Sequence, residues 1–328
     1  MSALPPHCAE DRETFMKNWS SIHAEKPVGL CVDKFSVDDK QFEIWECLTS
    51  ENESFQRLFD NMQTMALWFI EGASIVDVAD PRWCVYSLYH RVARSTESDE
   101  SDDLLPIGYI SVFRFYNPIG RKRLKSSASI QSNRSCLLST NQNETRRICQ
   151  ALIFPPYQRQ GHGKRLLECA MRRAREDDSV YEVTVEDPVP AFRKLRLLVD
   201  VEACVSLNSF NFQRKCDAFE FNQSKRTSGM SHVPESLPAG TMETAQKTLK
   251  LTNLETQMCF EVLRYVTIDQ TNDAEMRAFR LQVKRRLYTQ FIEDVELMSE
   301  ARRKAFLQER YQAQIELYAP IATRIFNI

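Results

Sequence analysis

Residues Ala151 to Glu176 read ALIFPPYQRQGHGKRLLECAMRRARE, and this stretch decides the fold. Ala151, Leu152, Ile153 and Phe154 form a short apolar run, as a buried strand does, and Pro155 and Pro156 end it because they cannot donate to a sheet ladder. After Gln158-Arg159-Gln160-Gly161-His162-Gly163, the residues Leu166, Leu167, Ala170, Met171 and Ala174 recur on one face of a helix. A strand, a glycine turn and a helix start together aim free backbone N–H groups and the positive end of the helix at one point. Two glycines let a ligand approach that backbone closely. The turn is therefore a candidate phosphate cradle, although Gly-x-Gly at such a corner also serves as a plain tight turn. The dinucleotide fingerprint fails for want of a third glycine. The phosphate-binding lysine motif fails because Arg165, not Ser or Thr, follows Lys164.

Composition sets the outer bounds. The chain has 328 residues, 43% of them hydrophobic and 27% charged, with a net charge of −2. That is ordinary globular composition, long enough for two domains, and it lacks the basic excess of a nucleic-acid-binding domain. No apolar run reaches the ~18 residues of a membrane span, and MSALPPHCAEDRE has neither the basic start nor the apolar core of a secretory signal. The ten cysteines contain no C-x-x-C pair, and the five histidines have no metal-ligand spacing with them. Reduced thiols and no metal are expected.

Outward from the glycine turn, period-two or apolar runs predict strands over residues 42–48, 83–89, 107–115 and 181–185. Phe55, Leu58, Phe59, Met62, Met65, Ala66 and Phe69 predict one helix of about four turns over Ser54 to Ile70. Asp187-Pro188 reads as the N-cap and first residue of a helix whose apolar face is Phe192, Leu195 and Val199. The expected organisation is a poorly structured segment over 1–26, a core over 27–221, a linker over 222–240 and a helical domain over 241–328. Two inserts, near 95–103 (acidic) and 120–147 (Ser/Asn/Arg-rich), interrupt the core as solvated loops. Arg121-Lys122-Arg123-Leu124-Lys125, in the second, suits a nuclear address or solvated charge. Lys284-Arg285-Arg286 and Arg302-Arg303-Lys304 read as solvated helix faces.

Gln158 to Gly163 also matches Q/R-x-x-G-x-G/A, the pyrophosphate loop of acetyl-coenzyme-A-dependent N-acetyltransferases. With PPYQRQGHGKRLLE, VTVEDPVPAFRKLR, LWFIEGASIVDVADPRW and VLRYVTIDQTNDAEMRAFRLQVKRRL in that family's order, the chain resembles the type B histone acetyltransferase catalytic subunit. The resemblance implies an α/β (α+β) general N-acetyltransferase fold: a mixed central sheet flanked by helices, then a helical C-terminal domain. It implies acetyl-coenzyme A as co-substrate, with Ala151, Leu152 and Ile153 along the pantetheine arm. Gln158, Arg159, Gln160, Gly161, His162, Gly163 and Lys164 would then lie around the pyrophosphate, with Arg165 near and Phe192 beside the cofactor. Val189 departs from the family's small polar residue. Glu186 matches the family's proposed general base, Asp187 the adjacent acid and Glu71 an acid near the target lysine. Trp83 and the segment Phe113, Arg114, Phe115 match residues that contact the substrate tail.

Under this resemblance the substrate is a histone tail, that of new histone H-four by preference, in nucleus and cytoplasm. A WD-repeat histone chaperone is the expected partner; no nucleic acid and no membrane are involved. The family's additional amino-terminal domain is expected to be all but missing here, since little precedes Lys26. Two other readings stay open: an N-acetyltransferase with another protein or small-amine acceptor, and a non-catalytic acyl-coenzyme-A-binding chromatin adaptor.

Overall fold

The structure is a computed structural model that describes residues 11–14, 27–92, 103–118, 143–206, 237 and 239–326. It divides into two compact units, Met1–Ser179 and Val180–Ile328. Most of 1–26, nearly all of the acidic insert near 95–103, the basic run from Arg121 to Lys125 and nearly all of the expected linker lie outside the described residues.

Five strands build the first unit: β1 (Leu30–Val37), β2 (Lys40–Leu48), β3 (Trp83–Val92), β4 (Asp103–Tyr116) and β5 (Glu144–Ile153). Each pairs antiparallel with the next. The register shifts between Ser111 and Val112 of β4, so that Cys149 is the extra residue of β5, and the N–H of Gln150 donates to Ser111 Oγ at 3.1 Å. Successive strand residues face opposite ways, which gives each face its own helix. Cys47, Val85, Tyr109 and Leu152 form a core cluster with Phe55, Phe59 and Met62 of α1 (Glu53–Gln63). On the other face Glu46 opposes Tyr86 and binds Arg173 of α3 (His162–Glu176) at 2.7 Å. Leu166, Leu167, Ala170, Met171 and Ala174 of α3 are all buried, as their spacing predicts. Each buried Leu or Met contributes about 1.5–3 kcal/mol.

The second unit opens with β6 (Val180–Val185) and α4 (Pro190–Val205). It continues through α5 (Thr241–Leu249), α6 (Asn253–Thr267), α7 (Asp273–Gln290), α8 (Ile292–Glu296) and α9 (Glu300–Phe326). The α/β architecture followed by a helical region is thus the expected fold class. Within this unit the fully buried Glu261 of α6 accepts from Arg286 of α7 at 2.8 and 2.9 Å and from Tyr318 of α9 at 2.7 Å.

Several local expectations need correction. The predicted helix over 54–70 is two: i→i+3 bonds from Met65 to Met62 and from Trp68 to Met65 interrupt it, leaving α1 and a one-turn α2 (Ala66–Phe69). The predicted insert over 120–147 ends sooner, because Glu144 already begins β5. Its polar side chains pair: Arg146 binds Glu144 at 2.9 Å and also Asp177. Strand β1 went unpredicted because its residues are mostly half-exposed and show no clean alternation. Arg286 is not a solvated face residue but the partner of Glu261. The packing boundary falls at Ser179 rather than in the expected linker, because β6 and α4 pack with α5 and α6.

Candidate acyl-coenzyme-binding turn and active-site residues

The corner after β5 is built by its own side chains. Phe154 donates to Ile107 O at 2.8 Å, and Pro155–Tyr157 makes one 3₁₀ turn. Gln158 Nε2 folds back to Ile153 O at 2.8 Å, and Gln160 Nε2 to Pro156 O at 2.9 Å. Both glutamines of the motif therefore brace the loop with their side chains, and the Ile153 carbonyl is already in use. Arg159 (φ 61°) and Gly161 (φ 87°) turn the chain through the left-handed region. Gly161 caps α3 with no side chain, so the first N–H groups of the helix face outward. A Cβ built at Gly161 would meet no atom within 4 Å. An uncapped helix start beside an open glycine is the donor set a diphosphate requires, so the residues present fit acetyl-coenzyme A.

The neighbouring cations differ in availability. Arg165 is bound to Asp33 at 2.8 Å and lies over Phe35, and Lys164 is 3.4 Å from Glu168. Arg159 makes no ion pair or hydrogen bond among the described residues, which leaves it the cation best placed for an anion. His162 is buried against Phe42 (4.4 Å between ring centres), Phe35 and Tyr157, and neither ring nitrogen has a partner among the described residues. Burial pushes its pKa below the ordinary histidine value, with His90 and Lys40 adding to the effect. His90 Nδ1 and Tyr157 Oη lie 3.1 Å apart beneath the same turn.

Ala151 and Leu152 pair in register with Ile110 and Tyr109. Gln150, just before them, was not singled out from the sequence. It accepts from Tyr109 Oη at 2.8 Å and donates to Ser74 O at 2.7 Å, fastening the segment after α2 to β5. A glutamine directly before the apolar run Ala151 to Phe154 was the available signal. Glu71 is exposed on that segment, next to Gly72 at φ 74°.

The expected tail-binding residues divide. Trp83 opposes Phe113, 4.8 Å between ring centres, and Phe115 follows at 6.3 Å. Arg82 covers the Phe113 ring at 4.6 Å and Arg147 the Phe115 ring at 4.9 Å. Arg114 lies on the opposite face, bound to Glu144 at 2.9 Å. There it lines a cavity of about 700 Å³ with Glu46, Arg146, Arg173 and Asp177. That cavity adjoins the far end of α3 from the glycine turn, about 20 Å along the helix.

In the second unit, Glu186 and Asp187 follow β6 directly, and both are exposed. Asp187 does not cap α4, contrary to expectation. The helix begins at Pro190 with Val189 as N-cap, because Pro190 supplies the preset φ of a first helical residue. Asp187 instead holds φ 33°, a sparsely populated conformation for a non-glycine residue. Phe192 is half-buried in the first turn of α4. Among the described residues no three His, Cys, Asp or Glu side chains gather as a metal ion would need.

The profile of the family described as Histone acetyl transferase HAT1 N-terminus matches residues 1–71. The histone acetyltransferase type B catalytic subunit of Kluyveromyces lactis is 27% identical over 294 residues, covering 90% of this chain and 64% of its own length. The human subunit of that name is 26% identical over 295 residues, covering 88% and 59%. This chain therefore spans about three fifths of the length of the curated relatives it matches. Among solved structures, an aminoglycoside acetyltransferase from a soil metagenome covers 55% of this chain and 95% of its own, at 14% identity and a TM-score of 0.28, too weak a likeness to bear on the fold.

Proposed function

We propose that this chain, similar along most of its length to type B histone acetyltransferase catalytic subunits, transfers an acetyl group from acetyl-coenzyme A to the ε-amine of a histone lysine. The observation that carries the reading is the glycine turn: an uncapped α3 start, Gly161 open on its Cβ side, and a loop braced by its own glutamines.

Backbone N–H groups of His162, Gly163 and Lys164 hold the diphosphate, with Arg159 adding charge. Ala151 and Leu152 align the pantetheine arm, and Phe192 packs beside it. When bound, acetyl-coenzyme A supplies the thioester acyl group and a thiolate leaving group. The acceptor lysine is an ammonium near neutral pH, and deprotonating it at pH 7 costs about 4–5 kcal/mol. Glu186 accepts that proton, directly or through one water, as the general base. The freed amine would attack the acyl carbon, with an N–H in β5 holding the developing oxyanion. The C–N bond forms, the C–S bond breaks, and the amine's second proton passes to the departing thiolate, which leaves as the thiol of coenzyme A. Asp187 and Glu71 keep the amine's surroundings acidic. The acetyl group passes directly in a ternary complex, without an acetylated enzyme.

The preferred acceptor is the tail of newly made histone H-four, reached in nucleus and cytoplasm with a WD-repeat histone chaperone. Coenzyme A titrated into the protein by calorimetry tests the turn. Saturable binding that Gly161→Val abolishes supports it, and no binding to the unaltered protein rejects it. Acetyl incorporation into histone-tail peptides, compared with small amines, tests the acceptor class.

A further inference from the structure

The aromatics expected to receive the tail, Phe113 and Phe115, each carry a guanidinium over the ring, that of Arg82 (itself bound to Asp80 at 2.6 Å) and that of Arg147. A run of exposed apolar side chains lies elsewhere in the first unit, on α2 and the segment after it. Trp68 is 82% exposed, Ile75 54%, Leu67 52% and Phe69 49%. Four large apolar side chains exposed within nine positions of the sequence mark an interaction surface.

Its backbone is held rather than loose. Val76 N–H donates to Gln63 Oε1 at 2.7 Å, Gln63 Nε2 to Val76 O at 3.2 Å, and Gln150 Nε2 to Ser74 O at 2.7 Å. Gln150 directly precedes Ala151, so the apolar platform is pinned to the strand assigned above to the pantetheine arm.

Charge selects the occupant. Between Asp60 and Asp80 the chain carries Asp60, Glu71, Asp77 and Asp80 and no lysine or arginine. Asp80 is paired with Arg82 at 2.6 Å, which leaves Asp60, Glu71 and Asp77 as the acids that no ion pair engages among the described residues. An anionic membrane needs basic residues beside the apolar ones, and a second copy in a two-fold contact would bring the same acids face to face. A lysine-bearing extended peptide suits both features: its aliphatic stems lie on Leu67 and Ile75, and its ammonium groups sit over the Trp68 ring and near Glu71.

We infer that Trp68, with Leu67 and Ile75, forms a platform for basic residues flanking the acceptor lysine. This rests on the reading of the protein as a lysine acetyltransferase. Steady-state kinetics with acetyl-coenzyme A and a lysine-rich tail peptide test it in the unaltered protein, Trp68→Ala and Trp68→Phe. The inference expects Trp68→Ala to raise the peptide KM about five- to ten-fold, with kcat and the KM for acetyl-coenzyme A unchanged and Trp68→Phe restoring most of the affinity. An unchanged peptide KM, or equal changes in both KM values, overturns it.

If the unaltered protein acetylates no peptide, the enzyme reading fails separately. Calorimetric binding of the same peptide then decides the platform, which requires weaker binding to Trp68→Ala and none of an acidic peptide. Co-sedimentation with anionic vesicles, or a dimer that Trp68→Ala dissolves, contradicts it.

Discussion

Glu186 is exposed at the end of β6 and has no structural duty among the described residues, since neither a cap nor an ion pair engages it. Its conversion to Gln is expected to lower turnover by about 10²–10⁴-fold while leaving coenzyme A affinity within two-fold, as single-turnover kinetics and calorimetry would show. Gly161 makes a different prediction. An alanine there meets no atom but must hold φ 87°, so stability falls by only about 1–2 kcal/mol. Coenzyme A affinity falls more than ten-fold, because the new methyl projects toward the bound phosphates.

His162 adds a pH term. Its imidazole is buried and neutral, with a pKa below the ordinary value of about 6.5 that it regains on unfolding. The unfolded chain therefore binds the extra proton first, and the stabilisation present above that pH is lost as pH falls through it toward the folded pKa. Melting temperatures of the unaltered protein should drop more steeply between pH 7.5 and 5.5 than those of His162→Leu. Parallel slopes would contradict this. The motif revealed where these residues are, but not that Gln158 and Gln160 turn inward: Q-x-x-G-x-G specifies a turn, not which carbonyl each amide side chain finds.

Among elements, α3 and β5 were the most legible, because an apolar stripe of period 3.6 and a proline stop have few other readings. Legibility failed where polar side chains pair inside the fold. Thr145, Arg146 and Gln150 are buried in β5, yet by type they read as loop. The same holds for Arg286, whose basic neighbours concealed its bond to Glu261. Cutting that bond with Arg286→Met strands a buried carboxylate, and urea titration should register a loss of about 3–5 kcal/mol. Replacing Glu261 by Met as well should recover most of it. The start of α4 was misjudged because two prolines compete for the first helical position, and local sequence does not say which one wins.

For the whole molecule, the division at Ser179 separates the unit that carries the glycine turn from the unit that carries Glu186. The expected boundary followed composition, while the observed one follows which helices share a core. A polar linker is visible in sequence; the burial of β6 and α4 among later helices is not. The central claim, a lysine acetyltransferase whose base is Glu186, is tested most directly by mass spectrometry. The histone H-four tail peptide is incubated with acetyl-coenzyme A and either the unaltered protein or Glu186→Gln. The account predicts acetyl-lysine with the former and at least a hundred-fold less with the latter, at equal coenzyme A occupancy. Equal acetylation by both, or none by the unaltered protein, would contradict it.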